Sequence, residues 1–328
     1  MRKFLFVLGL FLIALWFLTQ PLTVPADFIY GVTFSLPYTR DTLGLDWQKA
    51  YLAILDDLKV RYIRIPAYWV ELEKEKGKYD FGDLDFMVRE AEKREAQVIL
   101  AVGEKLPRWP ECHIPAWAEQ ESREDRHRAL LNLIDKIVER YRGASHIRYW
   151  QVENEPFLPF GGCKDYDKYF VDAEISRVKS LDSRPIVVTD SGELSVWAQA
   201  YKRADVFGTT LYRTIWNKYI GIFTYPLRPG YFRMKQRLME LSYGKKPLIV
   251  VELQAEPWLL VRPPDVSLET QLRLMNVEKF KQYLDYERQT AIPEVYLWGA
   301  EWWYWLKEKH NKPEMWDEAK KLFTEEQK

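Results

Sequence analysis

From residue 28 onward, short runs of β-branched and aromatic residues alternate with longer stretches in which apolar residues recur every three or four positions. The runs "FIYGVTFS" (28–35), "VRYIRIPA" (60–67), "QVILAVG" (97–103), "IRYWQVENE" (147–155), "RPIVVTD" (184–190), "DVFGTTLY" (205–212), "KPLIVVEL" (246–253) and "EVYLWGAEW" (294–302) each predict a strand. Between them, Trp47, Tyr51, Ile54, Leu55 and Leu58 share one helical face. Leu130, Ile134, Ile137 and Tyr141 share another, closed by Gly143 at a plausible C′ position, and Val171, Ile175 and Val178 a third. Segments 229–242, 267–289 and 313–326 also read as helix.

Units repeating every 30 to 50 residues or so fit strand–helix crossovers. Eight of them predict an α/β protein, a (β/α)8 TIM barrel. A doubly wound sheet is the rival, and it usually carries a glycine-rich phosphate turn after its first strand. Here that turn reads "GVTFSLPYTRDTLG", without GxGxxG. No low-complexity linker divides the chain, so residues 27–328 read as a single domain after an N-terminal apolar segment, 1–26.

That segment begins with Arg2 and Lys3, runs apolar from Phe4 to Leu18, and places Val24 and Ala26 before Asp27. A basic start followed by an apolar run predicts an export signal cut before Asp27. An uncleaved membrane tether through residues 4–18 is the alternative, and either way the product is secreted or extracytoplasmic. The 48 basic and 48 acidic side chains cancel. That balance argues against a nucleic-acid partner, and no protein partner is predicted. The four histidines, His113, His127, His146 and His310, show no HxH or HExxH spacing. No metal and no cofactor is therefore predicted. Fourteen Trp and twenty Tyr exceed what a core readily uses, since each indole N–H wants a partner. Many of them are expected to line a cleft.

In a barrel the active groups sit where strands give way to loops at the C-terminal face. Those ends read "GEKLPRWPECHIPAW" after strand three, "ENEP" after four, "DSGE" after five, "LYRTIW" after six, "VELQAEPW" after seven and "WGAEWWYW" after eight. Acids and aromatics crowd this end. Two carboxyl groups from different strands are what glycosidic bond cleavage needs, one to protonate the leaving oxygen and one to attack or to activate water. Glu155 and Glu252 are the best pair, with Glu256 as the rival to Glu252. Glu153 shares strand parity with Glu155 and is expected in a supporting polar network.

A barrel with "NEP" ending strand four and a Glu ending strand seven resembles clan A of the glycoside hydrolases, retaining β-glycosidases that include cellulases, mannanases and β-galactosidases. The resemblance covers nearly the whole chain after residue 26. It implies Glu155 as acid/base, Asn154 as a contact to the sugar 2-hydroxyl, and Glu252 in "VVEL" as nucleophile. It further implies Arg64 in "IRIP" and Tyr212 in "TLYR" as supports for the nucleophile, and Trp298 or Trp302 as the sugar floor. The pattern departs from many clan members in lacking a His at the ends of strands three and six.

Strand alternation, if it persists, puts Trp298 and Trp302 on one side and Trp303 on the other, with Glu301 between as a candidate ligand for a sugar hydroxyl. Trp109, Trp117, Trp216 and Trp258 are loop candidates for outer subsites. Cys112 and Cys163 fall after neighbouring strands three and four, which together with export predicts a disulfide in the cleft wall. The function expected is retaining hydrolysis of β-linked saccharides or polysaccharides. The alternatives are a carbohydrate-binding barrel without turnover and a different barrel hydrolase such as a metal-dependent deacetylase.

Overall fold

Period-two alternation along the eight predicted runs gives each strand two apolar faces, and a sheet with two apolar faces must be covered on both. The computed structural model meets that requirement by closure. It describes residues 27–163, 166–217 and 219–325, together with Gly9, Trp16 and Pro25. The barrel strands are β1 (Ile29–Thr33), β2 (Tyr62–Pro66), β3 (Gln97–Val102), β4 (Ile147–Val152), β5 (Ile186–Asp190), β6 (Val206–Leu211), β7 (Leu248–Gln254) and β8 (Glu294–Trp298). Each pairs in parallel with its neighbours in sequence, and β8 closes on β1 through Ile29 and Glu294. The export or tether segment expected over 1–26 lies, apart from Gly9, Trp16 and Pro25, outside the described residues. Among the described residues no helix is long and apolar enough to cross a membrane.

The two faces form two cores. Ile99, Tyr149, Val187, Val206, Ile249, Val251 and Tyr296 fill the barrel interior. Their strand neighbours, such as Ile63, Val98, Leu100, Trp150 and Val188, point outward and join the helices in one large cluster. Helix Trp47–Asp56 buries Tyr51, Ile54 and Leu55 there, and Asp46 caps it by accepting from the Lys49 amide at 3.1 Å. Helix Arg123–Tyr141 buries Leu130, Ile134, Ile137 and Tyr141 behind a Ser122 cap.

Three predicted boundaries shift, each for a local reason. The helix expected over 267–289 is two helices, Leu268–Leu274 and Val277–Arg288. Asn276 lies between them and accepts from the Lys279 amide at 3.0 Å, so a side chain that competes for backbone donors splits the run. Strand four stops at Val152, before the acids. Strand eight stops at Trp298, and Gly299 with φ +133° turns the chain into helix Ala300–His310. A Cβ on Gly299 would lie 2.7 Å from that of Glu256, so only glycine makes this corner. The loop after β6 carries an antiparallel hairpin, Thr214–Asn217 with Gly221–Thr224, which the apolar pattern did not predict.

Trp150 is fully buried between sheet and helices. Trp150→Ala is expected to cost about 3–5 kcal/mol of stability. A lower denaturant midpoint at unchanged m-value would show it, and an unaltered midpoint would contradict this packing.

Candidate active site

Period two points Arg64 of β2 into the barrel, where it is completely buried. A buried guanidinium needs acceptors for its donors. Its Nη1 donates to Glu252 Oε1 at 2.8 Å, its Nη2 to Asn154 Oδ1 at 2.7 Å and its Nε to Gln151 Oε1 at 2.7 Å. The second oxygen of Glu252 accepts from the Tyr212 hydroxyl at 3.0 Å. Residues from β2, β4 and β7 and from the turns just past β4 and β6 thus meet at one point of the barrel mouth.

Glu155 reaches the same mouth by a different route. Past β4 the backbone takes positive φ at Glu153 (+58°) and again at Glu155 (+45°), a conformation that costs non-glycine residues energy. Hydrogen bonds over-determine it. The Glu153 carboxylate accepts from the Glu104 and Lys105 amides at 2.9 and 2.6 Å. The Glu155 amide donates to Thr189 Oγ1 at 2.8 Å, and Lys105 Nζ donates to the Glu155 carbonyl at 2.8 Å. Glu153 is therefore a loop anchor and Glu155 faces the mouth, its Oε1 accepting from Thr210 Oγ1 at 3.1 Å. Burial raises the Glu155 carboxyl well above its ordinary pKa, and repulsion from Glu252, Glu111 and Asp190 adds to this against the pull of Lys105.

At the end of β8 the candidate aromatics separate. Trp298 stays at the mouth, with the Arg108 guanidinium 4.0 Å from its ring centre. Trp302 does not share its position, because the chain is already helical there. Its buried indole donates to Gln271 at 2.7 Å within the helix layer, and Trp303 donates to the Ala255 carbonyl at 2.7 Å. The sugar floor expected at Trp298 or Trp302 therefore has only Trp298 at the strand end. Glu301 is fully buried and already engaged, accepting from the Ser35 amide at 2.7 Å and from Arg108 at 3.1 Å. Glu256 accepts from both terminal nitrogens of Arg108 and from the Tyr38 hydroxyl at 3.3 Å, so the rival acid is committed to an ion pair.

Residues 45–173 match the glycoside hydrolase family 42 model, described as beta-galactosidase. Several solved structures share the fold. The native xylanase 10B from Thermotoga maritima aligns with a TM-score of 0.59 at 15% identity over 92% of this chain and 97% of that one. The beta-galactosidase from Bacillus circulans sp. alkalophilus aligns at 0.59 and 15% over 92% and 56%. The polyextremophilic beta-galactosidase from the Antarctic haloarchaeon Halorubrum lacusprofundi aligns at 0.54 and 14% over 82% and 52%. In fold and in the matched segment alike, the chain resembles the clan A glycoside hydrolases. It spans about half the length of the two beta-galactosidases. No curated protein matches the sequence.

Two residues at the mouth of this clan A-like barrel escaped the sequence. Arg108 sits between Tyr38 (3.7 Å) and Trp298 and joins Glu256 to Glu301. Glu111 accepts from Asn154 Nδ2 at 3.3 Å. Both lie in the loop after β3, where no period marks direction; their place beyond a strand's C-terminal end is the signal the sequence offers. Of the outer tryptophans, Trp258 packs on Tyr212 (5.4 Å between ring centres) and, through Phe160 (6.2 Å), leads to Trp109 (6.3 Å further), which is 72% exposed. Trp216 lies on the hairpin, while Trp117 packs against Trp69 at 5.6 Å and donates to the Glu73 carbonyl. Among the described residues no group of three His, Cys, Asp or Glu is arranged to hold a metal ion.

Cys112 and Cys163 form a disulfide with Cα atoms 5.1 Å apart, tying the loop after β3 to that after β4. Reduction should add two hydrogens to the intact mass. Two alkylatable thiols in the native, unreduced protein would exclude the bond.

Proposed function

We propose that the chain is a retaining β-glycoside hydrolase acting on a β-linked saccharide or polysaccharide, with Glu155 as acid/base and Glu252 as nucleophile. The observation that carries this reading is the unequal setting of two carboxyl groups in one barrel mouth. Glu252 is held by a guanidinium and a phenol, while Glu155 is buried with a single side-chain donor and an elevated pKa. Environments that separate two acids in this way are what assign one as proton donor and the other as anion.

In the first step Glu155 gives its proton to the glycosidic oxygen as the bond to the anomeric carbon breaks, and a Glu252 oxygen forms the new bond to that carbon. Water then attacks the same carbon, passing a proton to Glu155 while the ester to Glu252 breaks. Both carboxyl groups return to their starting states. Arg64 and Tyr212 hold the Glu252 oxygens in place through attack and departure. The exposed Trp109 and its aromatic neighbours offer apolar faces to further sugar rings. The basic and apolar N-terminus, together with the disulfide, supports an extracytoplasmic location.

Glu252→Ala is expected to abolish turnover, with added azide restoring part of it as a glycosyl azide of inverted configuration. Glu155→Ala should slow substrates with poor leaving groups by about 10²- to 10⁴-fold, far more than it slows activated aryl glycosides. Wild-type rates in either variant, or an inverted product anomer by NMR, would refute the assignment. The alkaline limb of kcat/KM should follow loss of the Glu155 proton. Because that pKa is raised, activity persists above the ordinary carboxyl range and falls as pH rises through the shifted value. A limb centred near the ordinary value of 4.5 would contradict the acid role.

A further inference from the structure

Glu111 is a third carboxyl group at this mouth. It is 7% exposed and held by its own loop: its amide donates to the Arg108 carbonyl at 2.7 Å and its carbonyl accepts from the Leu106 amide at 2.8 Å. Its backbone has φ +75°, which a glutamate adopts only under constraint. The constraint is visible next door. Cys112 is disulfide-bonded, and the loop after β4 passes so close that a Cβ on Gly161 would lie 2.6 Å from the Glu111 Cβ.

This loop delivers the carboxyl to Asn154. Arg64 takes Asn154 Oδ1 at 2.7 Å, which fixes the amide orientation and turns Nδ2 toward Glu111 Oε2 at 3.3 Å. One hydrogen of Nδ2 serves Glu111, and the other remains for a ligand. An amide donor beside a carboxyl acceptor suits a group that both accepts and donates, namely a hydroxyl. Next to the carbon that reacts with Glu252, a pyranose has the ring oxygen, which cannot donate, and the hydroxyl on C2.

We propose that Glu111 is a positioning and specificity residue for the sugar 2-hydroxyl, holding the Asn154 amide and accepting the hydroxyl proton in a hydrogen bond. This rests on the hydrolase reading above. A 2-acetamido group would force bulk against the buried pair.

The charges around both acids give the role a second signature. Glu111 faces Lys105, Arg64, Glu252 and Glu155, and burial pushes it up to about 8. Glu155 faces Glu252, Glu111, Asp190 and Lys105, and Glu111 contributes to its upward shift. Glu111→Gln removes that contribution, so the alkaline limb of kcat/KM should move to lower pH.

The test compares wild type, Glu111→Gln and Glu111→Ala on an aryl β-glycoside, its 2-deoxy analogue and its 2-acetamido analogue. Wild type should prefer the free hydroxyl over both analogues. Glu111→Ala should shrink the hydroxyl-to-deoxy ratio by about tenfold, the loss expected for one hydrogen bond to a buried carboxyl group. Glu111→Gln keeps a carbonyl acceptor and should hold most of the ratio while shifting the limb. If Glu111→Ala does not fold, Glu111→Asp, whose shorter side chain withdraws the acceptor, decides by the same ratio. A ratio unchanged within about twofold in the Ala variant, or in the Asp variant where that one is used, overturns the role. Preference for the 2-acetamido glycoside overturns it too. Failure of wild type to hydrolyse any of the three refutes the hydrolase reading itself, a different outcome from turnover with an unchanged ratio.

Discussion

A single guanidinium organises this molecule's mouth. Arg64 is buried inside the barrel, where an unpaired positive charge would be strongly destabilising. Its three nitrogens donate to side chains of Gln151, Asn154 and Glu252, which come from β4, the turn after it and β7. Those acceptors can gather only because the sheet is closed: in an open sheet, β2 and β7 would lie far apart. Closure, burial of the cation and placement of the proposed nucleophile are therefore one event. The arrangement also fixes the Asn154 amide, since an oxygen that accepts from Arg64 leaves the amide nitrogen facing the mouth.

The two proposed catalytic acids are made different by their surroundings. Glu252 lies within β7, where the register shifts against both neighbouring strands, and is met by donors. Glu155 lies in a turn strained at Glu153 and at Glu155 itself, and enters a site rich in carboxyl groups. The strain persists because the neighbouring loop holds it, through the Glu104 and Lys105 amides, the Lys105 ammonium and the disulfide. The loop after β3 is thus a structural partner of the loop after β4. It also supplies Arg108 and Glu111, the two charged groups that complete the mouth.

Arg108 shows how such a mouth tolerates acids beyond those used in chemistry. Its guanidinium lies between the rings of Tyr38 and Trp298 and pairs with Glu256 and Glu301. Aromatic faces and carboxylates both favour a cation, so the five groups form a cross-brace joining the segments after β1, β3 and β7 to the end of β8 and the helix that follows it. Glu256, only four residues past Glu252, is a nucleophile candidate by sequence and a brace by structure.

The sequence by itself determined the eight strands and the barrel they close into, and it pointed to the acids near the ends of strands four and seven, because alternation and approximate strand ends are local properties of the chain. It also marked Cys112 and Cys163 as neighbours, since their loops follow adjacent strands. Its reach stopped where the period broke. Trp302 read as a strand residue until Gly299 turned the chain into a helix, and Glu153 lost its parity with Glu155 once positive φ intervened. Only the tertiary structure decided that Trp298 keeps the strand-end position, that Arg108 occupies its face, and that Glu111 reaches Asn154. Those positions are set by contacts between loops more than forty residues apart, the Glu111 to Asn154 bond among them. Side-chain direction in a loop is fixed by what packs against it, and no pattern within the loop carries that information.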